Sequence, residues 1–264
     1  MPPVNGFWPE LPYEAWRDTR ETLHRYVQIA GRVRQALAPP EPQWLHVPLY
    51  VTARGLTTSP MPHPNDVFDI DFDFVDHVVA VRPASAKREQ IRLEPRTVAD
   101  FHAELMDALA RAGVPTEIEP TPSEVPDLTP FAEDVAHASY DPSWANTFWR
   151  ALATVDAVLK EHRARSPERV SPVQLWWGSL DLAYIRFGEA SSSAGFWAGD
   201  ERLPAPAFYA YTTPKPDGIE SAARWDAKLG ELILPYDEVR AAADSRAALL
   251  AFLDEAYAAG GDAR

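Results

Sequence analysis

Short turns separate three consecutive segments of alternating apolar and polar residues, and this pattern constrains the fold most. The segments are residues 68–74, 78–82 and 90–94, joined by turns at 76–77 and 84–85. Alternation of period two is typical of strands with one buried face. Because parallel neighbours need crossover connections of a dozen or more residues, these short connections predict an antiparallel meander.

Four longer segments place apolar residues at three- and four-residue spacing, which predicts amphipathic helices. They cover Tyr13–Leu37, residues 97–112, Pro142–Arg163 and Ser245–Ala259. Local start and stop signals agree with these bounds. Thr97 opens a capping box, Asp141 stands as an N-cap before a proline, and Gly113 follows the second helix.

Further strands are predicted at 44–58, 171–187, 207–212 and 229–234, and Gly178 interrupts the second of these. The sequence therefore predicts an α+β fold, a mainly antiparallel sheet with helices packed on it. The order of elements is similar in residues 1–113 and 141–264, which indicates one compact unit of two pseudo-repeated α-β-meander-α halves. Residues 114–140, acidic and rich in proline, form the predicted connector.

Residues 44–58 are predicted to form one long strand whose polar face carries His46, Tyr50, Thr52 and Arg54. Together these groups are suited to bind an anionic or carbonyl-bearing small molecule, with the Arg54 guanidinium forming bidentate hydrogen bonds to a carboxylate or phosphate. The same pattern fits a solvated sheet face in which Arg54 forms a structural ion pair. Because most polar networks are structural, the second interpretation is favoured.

Asp69, Asp71 and Asp73 alternate along another predicted strand. Carboxylates are candidate ligands of a hard cation. Steps of about 7 Å along a strand, however, place the three side chains too far apart to contact one ion. The pattern favours a solvated or arginine-paired face, and no metal site is predicted.

The most unusual stretch is 176–186, where Asp181 stands between leucines on a predicted core strand. A carboxylate is costly to bury without a partner, and Arg54, Arg186 or a histidine would serve. A paired Asp181 near Tyr184 is suited to act as a general base or to orient a histidine. The alternative, a structural ion pair, is favoured. Trp177 is a further candidate ligand-binding residue in this stretch.

His137, Tyr140 and Asp141 cluster at the start of the third helix. An N-cap role explains Asp141, and His137 lies where a helix N-terminus helps to bind an anion. His24 and His162 lie within predicted helices, and both are interpreted as surface or structurally satisfied side chains.

Composition limits the function classes. The chain has 264 residues, no cysteine and a formal net charge of −14, from 25 Lys+Arg and 39 Asp+Glu. The absence of cysteine excludes disulfides, thiolate metal sites and a cysteine nucleophile. An acidic chain without a basic patch is not expected to bind nucleic acid. Residues 1–6 do not resemble a signal peptide and no apolar run is long enough to span a membrane, so we expect a cytoplasmic protein without a membrane partner.

Two long blocks, WLHVPLYVTARGLTTSP at 44–60 and SPVQLWWGSLDL at 171–182, resemble a bacterial family known only as a domain of unknown function. The likeness extends to 68–77, 137–149, 193–197 and 206–211. It implies no activity, cofactor or catalytic residue. It does imply a longer, His-bearing segment before Ser193, where this chain has only residues 188–192.

The sequence predicts a small-molecule binding protein or an unassigned enzyme, with a pocket for an anionic or polar metabolite between the two halves. Standard nucleotide, zinc-protease and serine-hydrolase motifs are absent, and no cofactor is predicted. The alternative is a non-catalytic scaffold or partner-binding protein whose polar network is purely structural. The predicted ligand-binding residues are His46, Tyr50, Arg54, His137, Trp177, Asp181, Tyr184 and Arg186.

Overall fold

The computed structural model describes residues 8–260. Segments 1–7 and 261–264, which include the residues compared with a signal peptide, lie outside this range. Within it, the α-helices are α1 (Tyr13–Leu37), α2 (Val98–Arg111), α3 (Pro142–Arg163), α4 (Tyr236–Ala241) and α5 (Ser245–Ala259). The four long helices confirm the four predicted from apolar spacing.

The strands fall into a first and a second group along the chain. The first group is β1 (Tyr50–Val51), β2 (Gly55–Thr57), β3 (Met61–His63), β4 (Asp66–Asp73), β5 (Val78–Pro83) and β6 (Glu89–Arg92). The second group is β7 (Arg169–Val170), β8 (Gln174–Trp176), β9 (Asp181–Phe187), β10 (Ser191–Trp197), β11 (Ala207–Thr213), β12 (Trp225–Asp226) and β13 (Glu231–Pro235). Two antiparallel sheets and helices confirm the α+β fold.

The described chain divides into two compact units, each named here after its sheet. The six-stranded unit consists of Ala15–Trp149 and Leu175–Leu180. The seven-stranded unit consists of residues 8–14, 150–174 and 181–260. The predicted connector, 114–140, lies within the six-stranded unit. The internal repeat stays a prediction.

The six-stranded sheet contains the predicted meander. Its strands run in the order β1-β2-β4-β5-β6, with β3 paired to β4. All pairs are antiparallel, and Asp69 lies opposite Arg82 in the register of β4 and β5. One face of β4 is buried through Phe68, Ile70 and Phe72, and the other carries the aspartates. The period-two pattern thus predicted both the strand and its buried face.

The seven-stranded sheet runs in the order β12-β13-β11-β10-β9-β7, and β8 pairs with β9. Its central strands are antiparallel, so Tyr184 lies opposite Ala194 and Arg186 opposite Ser192. Ser192 in turn lies opposite Thr212 of β11. Directly opposed residues share a face, so this register brings polar side chains from three strands to one face of the sheet.

The prediction of one long strand over 44–58 is wrong. Residues 42–44 form a 3₁₀ turn, and β1 and β2 form a short hairpin instead. The turn is closed by the Thr52 hydroxyl, which accepts hydrogen bonds from the N–H groups of Arg54 (3.3 Å) and Gly55 (3.0 Å). Gly55 is required there because a Cβ would lie 1.8 Å from the carbonyl oxygen of Phe72. Of the side chains expected on one strand face, only Tyr50 lies on a strand, and His46, Thr52 and Arg54 lie in turns.

Candidate functional site

The predicted polar face of residues 44–58 does not form, and its side chains have separate partners. His46 is buried, and its Nδ1 accepts a hydrogen bond from the Glu41 N–H (3.1 Å). The Tyr50 ring lies under the guanidinium of Arg34, 5.6 Å from its centroid. The half-exposed Arg54 forms ion pairs with Asp73 (2.6 Å) and Asp76 (2.8 Å). These contacts fit a structural role.

The aspartate strand is arginine-paired, as the spacing indicated. Arg82 contacts Asp69 at 2.7 Å and also pairs with Asp71, and Arg54 pairs with Asp73. These are partly exposed pairs, which contribute at most about 1 kcal/mol each. Within residues 8–260, no group of three or more histidine and carboxylate residues is arranged to hold a metal ion.

His137 belongs to a network that joins the connector to α1. Its Nδ1 lies 2.8 Å from Asp134 Oδ2, and the same carboxylate pairs with Arg25 (3.2 Å). Asp134 is almost fully buried, so the ion pair with Arg25 offsets part of its desolvation. Asp141 accepts the N–H of Ser143 at 2.7 Å, which confirms the predicted N-cap of α3.

Trp177 is buried and packs against a helix. Its indole N–H donates to the Val47 carbonyl (2.9 Å), and Arg32 stacks 5.0 Å from the ring centroid. The ring lies against Gly31 of α1, where a Cβ would be 2.5 Å from the indole. Trp177 therefore fills the core of the six-stranded unit.

Asp181 has a partner that the sequence did not suggest. Its carboxylate accepts a hydrogen bond from the hydroxyl of Tyr209, two strands away. Gly195 on the intervening strand leaves room for this contact, since a Cβ there would lie 2.8 Å from the phenol oxygen. Burial, and then the adjacent Asp181 charge, raise the pKa of Tyr209 well above its usual value, so the phenol stays protonated and donates.

Tyr184 and Arg186, by contrast, line a recess in the seven-stranded unit. Its empty volume is about 290 Å³, which includes the solvent at its mouth. Strands β9, β10 and β11 form its floor, and α3 and α5 contribute the remaining side chains. The lining residues are His162, Tyr184, Arg186, Ser192, Ser193, Ala194, Ala210, Tyr211, Thr212, Leu253, Ala256 and Tyr257.

A hydrogen-bonded chain runs from the surface to the recess. Asp254, a largely exposed residue of α5, lies 2.9 Å from His162 Nε2, and the Tyr184 oxygen lies 2.6 Å from His162 Nδ1. An ionised carboxylate only accepts, so Nε2 carries the proton and donates to Asp254. The Nδ1 atom is then an acceptor for the hydroxyl of Tyr184. Asp254 thereby sets the tautomer of the buried imidazole.

The two buried groups of this hydrogen-bonded chain, His162 and Tyr184, are uncharged near pH 7. Burial, and then the positive charge of Arg186, lower the pKa of His162 below its usual value. Burial raises the pKa of Tyr184, although Arg186 opposes this shift. The recess therefore contains a neutral imidazole and a protonated phenol beside one guanidinium.

Arg186 is the cation of the recess and is 95% buried, since its relative exposure is 5%. Its Nη2 lies 3.0 Å from His162 Nδ1 and 3.1 Å from the Tyr184 oxygen, and its guanidinium stacks 3.8 Å from the ring centroid of Tyr257. Its Nη1 is buried without a hydrogen-bond partner among residues 8–260. Within the same residues, none of the contacts of Arg186 is an ion pair with a carboxylate.

Sequence reasoning named Tyr184 and Arg186 but missed the partners that surround them. The sequence indicates a surface or structurally satisfied side chain for His162, although this residue continues the buried stripe of Val155 and Leu159 on α3. That continuation places it on the buried face of the helix and was the available signal. No local sequence pattern indicates Asp254, because it lies 92 positions from His162 and contacts it only in the folded protein.

The comparisons with known proteins agree with the resemblance seen in the sequence. No curated protein and no solved structure matches the chain. The family model of DUF5996, described as a family of unknown function, matches it over residues 8–192 and 188–264. The two matched segments meet at 188–192, in the hairpin between β9 and β10 that borders the recess. The chain therefore belongs to DUF5996, a family of unknown function.

Proposed function

We propose that this protein binds a small anionic metabolite in the Arg186 recess, either as a binding protein or as an enzyme whose substrate carries the anion. The observation that carries the proposal is a buried guanidinium with no carboxylate partner and an unsatisfied Nη1 among the described residues. A buried charge is costly unless it is paired. An anionic ligand would supply the missing charge and accept the free N–H groups.

The surrounding groups support an anion rather than a cation. His162 and Tyr184, which contact Arg186, are neutral near pH 7, because burial lowers the pKa of His162 and raises that of Tyr184. The Tyr257 ring stacks on the guanidinium. Hydroxyls of Ser192 and Thr212, which lie 3.0 Å apart, add further hydrogen-bonding capacity. Arginine suits this role because its planar fork matches a carboxylate or phosphate.

The alternative is a scaffold or partner-binding protein with a purely structural polar network. The contacts of other predicted site residues favour a structural role for those residues. Arg54 pairs with Asp73 and Asp76, His137 with Asp134, and Asp181 with Tyr209. Arg186 differs from them in having no acidic partner within the described chain.

Thermal denaturation with and without small anions tests the proposal. We expect acetate, propionate, phosphate or sulfate to raise the Tm of the wild-type protein, because a ligand at about 100 times its Kd adds about 2.7 kcal/mol to stability. Arg186→Gln should abolish the shift. Arg186→Lys should weaken it, since lysine keeps the charge but not the fork.

Arg246→Gln is the matched control. Arg246 lies in the same unit on α5, is partly exposed and pairs with Glu161 (2.5 Å). Its replacement should leave the anion-induced shift unchanged. If no anion raises the Tm, or if Arg186→Gln retains the full shift, the proposal is wrong.

A further inference from the structure

The charge balance of the recess limits the charge of its ligand. Arg186 is the one lysine or arginine among the lining residues. His162 is a neutral imidazole near pH 7, because burial and Arg186 both lower its pKa. Asp254 adds a negative charge behind His162, and Arg165 Nη1 lies 3.9 Å from that carboxylate at the surface. One guanidinium thus neutralises one negative charge, and a dianion would leave a second charge uncompensated.

The lining of the recess combines polar and apolar side chains, and α5 adds apolar ones above the sheet face that carries Arg186. Hydrogen-bonding groups come from Tyr184, Arg186, Ser192 and Thr212 on one face of the sheet. Apolar side chains come from Ala194 and Ala210 of the strands and from Leu253 and Ala256 of α5. A phosphate or sulfate presents oxygen on every side, so some of its oxygens would lie against these apolar groups.

A carboxylate with a short alkyl tail has the complementary shape and polarity. Its two oxygens match the arginine fork, in which Nη1 lacks an acceptor among the described residues. Its tail would bury apolar surface against alanine and leucine side chains, which is favourable by about 25 cal/mol per Å². Because the volume of about 290 Å³ includes open solvent at the mouth, the enclosed part of the recess is smaller still, and only a short tail fits.

We propose that the ligand of the Arg186 recess is a short-chain monocarboxylate, bound through its two oxygens with its tail against the helix α5. This inference rests on the proposed anion site and specifies its ligand class. It excludes inorganic phosphate, phosphate monoesters and dicarboxylates as the preferred ligands near pH 7.

Calorimetric titration at pH 7.5 in Tris, with chloride held constant, tests this choice. The probes are the sodium salts of acetate, propionate, butyrate, phosphate and sulfate, with propionamide as the uncharged match of propionate. We expect propionate to bind at least tenfold more tightly than phosphate or sulfate. Each added methylene from acetate to butyrate should lower Kd about fourfold, because burying one CH₂ contributes about 0.8 kcal/mol. Propionamide should not bind detectably.

The outcomes separate the two proposals. Phosphate or sulfate binding more tightly than propionate, with loss of binding in Arg186→Gln, would overturn the monocarboxylate inference and leave the anion site standing. Equal Kd values for acetate and butyrate would overturn the apolar contact of the tail, and with it the inference. If none of the five anions binds, the proposed function itself fails.

A variant of the apolar wall provides a second measurement. Ala256→Ser changes the wall of α5 by one oxygen and leaves Arg186 in place. We expect it to weaken butyrate binding several-fold while changing acetate binding little, since acetate has only a methyl group to place there. Loss of affinity for both in equal proportion would contradict the proposed orientation of the tail.

Discussion

At the scale of single residues, burial decides which ionisable groups carry charge. His24 on α1 is fully buried, and its Nε2 lies 2.9 Å from the Trp177 carbonyl and 3.0 Å from that of Gly178. Burial, and then the positive charge of Arg20, lower the pKa of His24 from 6.5 to about 3. The buried imidazole of His24 is therefore neutral near pH 7.

The depressed pKa of His24 predicts acid sensitivity. Between pH 6.5 and about 3 the unfolded chain binds one more proton at this residue than the folded chain does. The contribution of His24 to the free energy of unfolding is complete above pH 6.5. It decreases as the pH falls, by up to about 1.4 kcal/mol per pH unit. We expect urea unfolding between pH 6 and 5 to show a smaller slope of stability against pH in His24→Gln.

The control for His24 is His63→Gln. His63 is partly exposed, and its Nε2 lies 3.1 Å from the carbonyl oxygen of Pro115. This variant controls for the replacement of a histidine by glutamine at a partly exposed position. An unchanged slope in His24→Gln would contradict the assignment of a buried, neutral imidazole.

Gly31 in the middle of α1 gives a second prediction at this scale. Glycine to alanine normally stabilises a helix interior by about 1 kcal/mol. Here the new Cβ would lie 2.5 Å from the Trp177 ring, so a bulky indole must move. We expect Gly31→Ala to lower the free energy of unfolding by about 1–3 kcal/mol, the usual cost of overpacking.

Chemical denaturation measures this change. As a comparison, Ala36→Gly at an exposed position of α1 should cost about 1 kcal/mol through helix propensity alone. A stabilised Gly31→Ala protein would show that Trp177 does not pack on α1 as described.

At the scale of elements, local signals at helix ends agree with the structure. Thr97 caps α2 by accepting the N–H of Asp100 (3.0 Å), and Asp141 caps α3 by accepting those of Ser143 (2.7 Å) and Trp144 (3.3 Å). The opposite end of α3 carries His162. Because the N-cap and His162 lie at opposite ends of one helix, a change at the N-cap tests helix stability separately from the proposed anion site.

Asp141→Ala should therefore lower stability without removing the anion site. An N-cap aspartate contributes about 1 kcal/mol, since two N–H groups of the first turn lose their acceptor. Asp141→Asn, which keeps an acceptor oxygen, should cost much less. Urea unfolding gives the stability, and titration with propionate should give a Kd close to wild type in both variants. A loss of stability as large in Asp141→Asn as in Asp141→Ala would contradict the capping role.

At the scale of the whole molecule, the net charge of −14 is concentrated in two stretches. Residues 112–149 contain seven acids and residues 55–81 contain five, and neither stretch has a lysine or arginine. Arginines from elsewhere in the sequence, Arg25, Arg54 and Arg82, pair with some of these acids. Because these three arginines form intramolecular ion pairs, they are less available to bind an acidic partner. Among residues 8–260, no helix is sufficiently long and apolar to cross a membrane.

This charge distribution predicts no binding of nucleic acid. Even non-specific binding, with a Kd of about 10⁻⁴–10⁻⁶ M at physiological salt, depends on lysine and arginine displacing counterions from phosphates. We expect no change in the anisotropy of a labelled DNA duplex at protein concentrations up to about 100 μM. The same measurement with a labelled single-stranded RNA should also be flat. A saturable, salt-dependent rise with either probe would contradict the prediction.

The sequence alone determined the features that depend on near neighbours. Apolar spacing predicted four helices, alternation predicted β4 with its buried face, and cap residues predicted where α2 and α3 begin. Each follows from backbone periodicity or from a hydrogen bond spanning three residues. The α+β class and the resemblance to a family of unknown function were likewise read from the chain and confirmed.

Which polar residues meet depends on contacts between segments distant in the sequence. The polar alternation of residues 44–58 predicted a strand, but a threonine-closed turn and the close approach of Gly55 to Phe72 produced a hairpin. His162 and Asp254, 92 positions apart, come together with Tyr184 and Arg186 because α3 and α5 both meet the same sheet. Periodicity shows which face a side chain occupies. It does not show what lies opposite, and for a buried charge such as Arg186 the facing groups decide whether the site is closed or needs a ligand.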